Sequence, residues 1–136
     1  MNLFFYNYIV FIPLVAYVVA TVLKWAFLWR RNAFNVSSML STGGMPSGHS
    51  SLVASVATAV GIKYGPFHDL FAIVLVFAAI VIYDAMNIRY QSGLHAHALN
   101  KIRGEKQLNE SLGHLPSETL AWSIVGVFVA AALMYI

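Results

Sequence analysis

The chain has 136 residues, 60% of them hydrophobic and 10% charged, with a mean hydropathy of +0.72, where a soluble domain carries about 25% charged and 45–50% apolar residues. Water is therefore not its only solvent, disorder is excluded, and the lack of Cys removes disulfides, zinc ribbons, iron–sulfur clusters and thiol nucleophiles. The net charge of +3 sits at the ends of apolar runs rather than in a basic patch, which points to anionic lipid headgroups as partners and away from nucleic acid.

Leu3 to Leu23 forms the first predicted span, interrupted only by Asn7, Pro13 and Thr21. It lacks the basic start and small-residue cleavage site of a removable signal, so it reads as permanent. Pro46 to Ile62 is a short span of 17 residues, roughly 25 Å long against a hydrocarbon core of about 30 Å. Its Ala, Ser and Gly content suits close packing among other helices, and Pro46 suits a first helical turn. Asp69 to Ile88 makes a third span that contains Asp84. The extended polar region between Arg89 and Ser117 is predicted helical over His95 to Ile102, with a second short helix over Glu105 to Leu112 ending at Gly113. Pro116 then starts the helix of the last span, the uncharged run of 18 residues from Thr119 to Ile136. The expected fold is an all-α integral membrane bundle of about four transmembrane helices, with a polar helical loop between the last two. One domain over 1–136 accounts for the whole chain, and no internal repeat is evident.

Lys24, Arg30 and Arg31 follow the first span, Arg89, Lys101, Arg103 and Lys106 lie between the third and fourth, and only Lys63 lies between the second and third. With four spans, seven basic residues oppose one, and the positive-inside rule places the seven in the cytoplasm. The predicted protein is multi-pass, with both termini outside. Removing the three bases with a chemical reading, Lys24, Arg31 and Arg89, still leaves four against one.

The densest chemical signal is Gly43-Gly44-Met45-Pro46-Ser47-Gly48-His49-Ser50-Ser51. Glycines and hydroxyls leading into a helix N-terminus present free N–H groups and a positive dipole end, a ready anion site. His49 stands there as a proton donor or acceptor near neutral pH; a small-residue loop capping a helix is the plain alternative. Lys24 and Arg31 read singly as interfacial charges, but the topology sets them on the face of His49, as it does Arg89. Three cations around a helix N-terminus suit a phosphoryl group, whose transition state spreads negative charge over its oxygens. His114 is followed four residues later by Glu118, a spacing that lets the carboxylate orient the ring, or that merely puts an acid at a helix start. Asp84, inside a span, is a functional candidate by default and a partner for Arg89, with a purely structural ion pair as the alternative. Asn87, His95, His97 and Asn100 carry weaker signals, His95 and His97 do not share a helix face, and His68 reads as interfacial.

Pro46-Ser47-Gly48-His49 matches the central motif of the superfamily of type 2 phosphatidic acid phosphatases and vanadium-dependent haloperoxidases, and Lys24-x6-Arg31 has the spacing of its first motif, with Asn32 where Pro is usual. His114-x3-Glu118 resembles the latter half of the third motif, Glu replacing Asp. The wider string, Tyr83-Asp84-Ala85, Arg89, Gly93, Leu99-Asn100 and Leu112-Gly113-His114-x-Pro116-x-Glu118, resembles the small divergent subgroup, over roughly residues 24–118. The resemblance implies that His114 attacks phosphorus to form a phosphohistidine, Glu118 orients it, and His49 protonates the leaving oxygen and then activates water. It implies that Lys24, Arg31 and Arg89, with Ser47 and Gly48, bind the phosphate oxygens. No metal and no cofactor are implied, and Asp84 and His95 are supporting candidates.

Two departures stand out. Arg89 and His114 are 25 residues apart, where the family motif has them six apart. His95 keeps the family spacing from Arg89, but Leu99 stands where the orienting acid belongs, so His114 is preferred as nucleophile and His95 is the alternative. Family members also have a larger helical core than four short spans, and a homo-oligomer would supply the missing packing. The leading expectation is an integral membrane phosphatase acting on a lipid phosphate or a prenyl or lipid diphosphate. Its rivals are a non-catalytic lipid-phosphate binder or carrier and a small structural protein with a decayed site. Haloperoxidase and haem-binding readings rank lower.

Overall fold

A computed structural model describes residues 2–30, 48–110 and 112–136, and those residues fold into six helices without a strand. They are α1 (Leu3–Asn7), α2 (Phe11–Arg30), α3 (Gly48–Tyr64), α4 (Asp69–Met86), α5 (Ile88–Arg103) and α6 (Pro116–Tyr135). The runs Asp69–Arg103 and Pro116–Tyr135 are long and apolar enough to cross a membrane, and Phe11–Phe27 is a shorter apolar helix. Large apolar side chains on the outer faces, Ile73, Phe77, Ile80 and Phe128 among them, are exposed, as a lipid-facing surface requires.

The helix ends follow from local chemistry. Asn2 accepts the N–H of Phe4 at 3.1 Å and starts α1, and α2 begins at Phe11 with Pro13 in its first turn, where a missing N–H leaves no bond unmade. The predicted first span is thus not one helix from Leu3: Tyr8 to Val10 form a break between α1 and α2. Gly65, at φ +91°, ends α3, and the His68 ring accepts the N–H of Leu70 at 3.1 Å to open α4. Gly104, at φ +73°, ends α5, and Pro116 occupies the first turn of α6.

α3 is the central helix. It packs on α6 most extensively, then on α4 and α2. Its buried face holds Ser50, Ser51, Val53, Ala54, Ser55, Ala57, Ala59 and Val60, as expected of a short protein-packed span. At the end where α3 closes, Ile12, Ala59, Ala130 and Met134 make an apolar cluster, and the backbone N–H of Asn2 ties α1 to the Met134 carbonyl at 3.0 Å. At the end where α3 opens, helices meet through small residues instead. The Ser51 hydroxyl donates to the Ala16 carbonyl of α2 at 3.4 Å, while its own carbonyl occupies the space a side chain at Gly126 of α6 would need.

The polar region differs from expectation in its second half. α5 is longer than predicted, but residues 105–110 are not helical. The reason is the buried amide of Asn100. Its Oδ1 accepts the N–H groups of Gln107 and Leu108, at 3.2 and 2.9 Å, and its Nδ2 donates to the Leu108 carbonyl and the Glu110 carboxylate, at 2.9 and 2.7 Å. A side chain thereby satisfies backbone groups that a helix would otherwise pair.

Candidate active site

α3 and α6 run side by side in the same direction and α2 runs against them, so the late part of α2 meets the starts of the other two. α2 carries Lys24 late in its course, α3 carries His49 in its first turn, and α6 is entered through His114. Gly48 opens α3 against the Tyr17 ring of α2, where a Cβ would stand only 2.8 Å from Cε2. The glycine therefore sets a close helix approach at this point. His49 next to it is exposed, and Lys24 is half-buried. Arg31 and Ser47, both expected to bind phosphate oxygens, and Pro46 of the same motif lie outside the described residues.

His114 is 5% exposed and is positioned from both sides of the chain. Its backbone N–H donates to the Ala85 carbonyl of α4 at 3.0 Å, and its ring nitrogen Nδ1 lies 3.6 Å from Glu118 Oε2. That separation exceeds a hydrogen bond, and Nδ1 is a buried nitrogen without a hydrogen-bond partner among the described residues. Glu118 Oε2 instead accepts the Leu115 N–H at 3.1 Å, which caps α6, so the same carboxylate serves the helix start and faces the imidazole.

Burial holds the His114 imidazole below its ordinary value of 6.5; the Glu118 charge opposes this, and the charges of His49 and Lys24 reinforce it. Groups from α2, α3 and α6 thus act on one ring. The ring is neutral near pH 7, the form in which an imidazole attacks or accepts a proton.

Arg89 and Asp84 form an ion pair, Nε to Oδ2, at 2.7 Å across the α4–α5 junction. The separation of 25 residues between Arg89 and His114 is closed in space. Gly113, at φ +80°, presses on the backbone of Arg89 and Tyr90, and a Cβ there would stand 2.8 Å from the Arg89 carbonyl carbon. Gly93 gives the returning segment similar room, since a Cβ would lie 2.7 Å from the Glu110 carbonyl oxygen. The residues between are an excursion that leaves and re-enters at the same place. His95 lies on that excursion, exposed on α5, and no hydrogen bond or ion pair joins it to His114 among the described residues. Glu110 is a residue the sequence reading passed over. Asn100 first, then His97 at 3.0 Å, hold its carboxyl below the usual carboxylate range. No sequence pattern announces it, because its partners come from a tertiary fold-back.

A family model described as the divergent PAP2 family matches residues 5–129. The chain is also similar to the uncharacterized membrane protein YuiD of Bacillus subtilis (strain 168), 32% identical over 119 residues that cover 73% of this chain and 75% of the relative. No solved structure matches.

Proposed function

The chain belongs to the divergent PAP2 family, and from that membership and the site geometry we propose a multi-pass membrane phosphatase that hydrolyses a lipid phosphate or a prenyl or lipid diphosphate. His114 Nε2 attacks phosphorus as the bond to the leaving oxygen breaks, and protonated His49 gives that oxygen its proton. The resulting phosphohistidine carries a positive charge and an Nδ1–H that faces Glu118. Neutral His49 then takes a proton from water as the water oxygen attacks phosphorus, which frees His114 and releases inorganic phosphate. Lys24, Arg31, Arg89, Ser47 and Gly48 hold the phosphoryl oxygens. In this reading Arg89 binds phosphate through its terminal nitrogens, while its Nε is held by Asp84.

One observation carries the reading: a buried imidazole whose Nδ1 has no hydrogen-bond partner among the described residues and lies beside Glu118, with His49 and Lys24 acting on it from two other helices. The bias of seven basic residues to one supports a cytoplasmic active face. A cysteine-accessibility scan tests that orientation directly, because the chain has no Cys.

The catalytic test is phosphate release from phosphatidate, phosphatidylglycerophosphate and prenyl phosphates, alongside His49→Ala and His114→Ala. The expected result is release by the native protein from at least one lipid, reduced by about 10³-fold or more in both variants. Full activity in both variants, or lipid binding without release and indifferent to His114, contradicts the enzyme reading.

A further inference from the structure

A groove of about 980 Å³ runs between α3 and α4, and the site chemistry makes no use of it. It exists because α3 presents Ala54 and Ala57 there, while α4 turns only Ala78 and Ala85 fully into the bundle. We propose that this groove holds one hydrocarbon chain of the phosphorylated amphiphile whose headgroup occupies the site; only the headgroup's identity rests on the phosphatase reading.

Continuity with the site is the first argument. Ala54, at the near end, follows His49 by five residues on the same helix, and Met86 follows Ala85, whose carbonyl receives the His114 N–H. The far end is formed by Gly65 and Pro66, about 17 Å along α3 from Ala54 at 1.5 Å per residue. The lining is mostly apolar, with Tyr83 and Tyr135 on the wall, and the Thr58 hydroxyl already donates to the Ala54 carbonyl at 2.9 Å.

A trough of about 980 Å³ over that length has room for a hydrocarbon chain. Cations and a helix N-terminus at one end, with an apolar trough leading away, complement a molecule that carries phosphate at the head of a chain.

Photolabelling in phosphatidylcholine vesicles tests this. The probe is a non-hydrolysable diacyl phosphonate with a diazirine at the end of one chain, and labelled peptides are read by mass spectrometry. The proposal predicts label around Gly61 and Phe71, and weaker labelling by a diacylglycerol bearing the same diazirine. Ala79→Trp, which fills the groove wall, should cut labelling about tenfold, equivalent to losing the burial of a few methylenes. Ile80→Trp, with equal bulk outside the groove, should leave it unchanged. Label spread evenly over the outward residues Ile73 and Phe77 of the native protein overturns the proposal, whatever the variants do. So does unchanged labelling of folded Ala79→Trp, or an oligomer that this substitution converts to monomer. Labelling needs no turnover, so it can fail while phosphate release from a short-chain substrate persists, and succeed where no release occurs.

Discussion

Toward α6, the small residues of α3 bring two backbones together: the Ser51 carbonyl fills the space beside Gly126, and the Ser51 hydroxyl reaches the Ala16 carbonyl of α2. Toward α4, Ala54 and Ala57 are equally small, yet with Leu75, Ile82 and Met86 they line 980 Å³ of open groove, and α4 presses close at Gly61 through the Phe71 ring. Helix association inside a membrane relies on packing rather than on the hydrophobic effect, so a small residue closes a gap where a neighbour fills the space beside it, a backbone carbonyl at Gly126 and an aromatic ring at Gly48 and Gly61. Where no neighbour fills that space, the same kind of residue leaves a trough. The tight side carries His114 and Glu118 at the entry of α6, and the open side leads away from them.

That contrast can be broken most sharply at Gly126. Gly126→Val should lower stability by about 3 kcal/mol, because a side chain there displaces the Ser51 backbone rather than a flexible neighbour. Thermal unfolding in detergent checks this, and an unchanged midpoint would show that the seam is not tight.

Within the tight side, charges of opposite sign should move His114 in opposite directions. Glu118→Gln removes the charge that favours the imidazolium, so the acidic limb of kcat/KM moves to lower pH while the plateau falls about tenfold through lost orientation. Lys24→Met removes a charge that disfavours the imidazolium, and the limb moves to higher pH. A pH–rate series on both variants reads the two shifts; parallel shifts would contradict the shared site. The native ring also makes stability depend on pH. Since the folded value lies below the ordinary 6.5, the unfolded chain takes up a proton first, and stability falls as pH drops below that value. The unfolding midpoint should therefore be lower at pH 5 than at pH 7, by a smaller margin in His114→Gln.

The smallest effect belongs to the open side. Ala79→Leu adds bulk to an exposed groove wall and should change stability by less than about 0.5 kcal/mol. A loss matching that of Gly126→Val would erase the distinction between the two sides.

Much of this architecture is legible in the sequence. α4 and α6 follow from uninterrupted apolar runs, and α3 from a proline-led, small-residue segment too short for a lipid-exposed span. The break at Tyr8 to Val10 is not legible, because apolar content continues across it and only Asn7 and Pro13 hint that the helix restarts. Residues 105–110 resist prediction for another reason: their hydrogen bonds go to Asn100, and a local pattern cannot foresee a distant side chain. Spacing misleads in the same way at Arg89 and His114, whose separation along the chain is cancelled when Gly113 returns to the Arg89 backbone.

Trapping the phosphoryl-enzyme addresses the central claim most directly. The native protein, mixed with a labelled lipid phosphate and quenched under alkaline conditions that preserve phosphohistidine, should carry a phosphoryl group on the peptide containing His114. The label should vanish in His114→Ala. Lipid hydrolysis without any phosphoryl-enzyme, or label on the His95 peptide instead, would contradict the account.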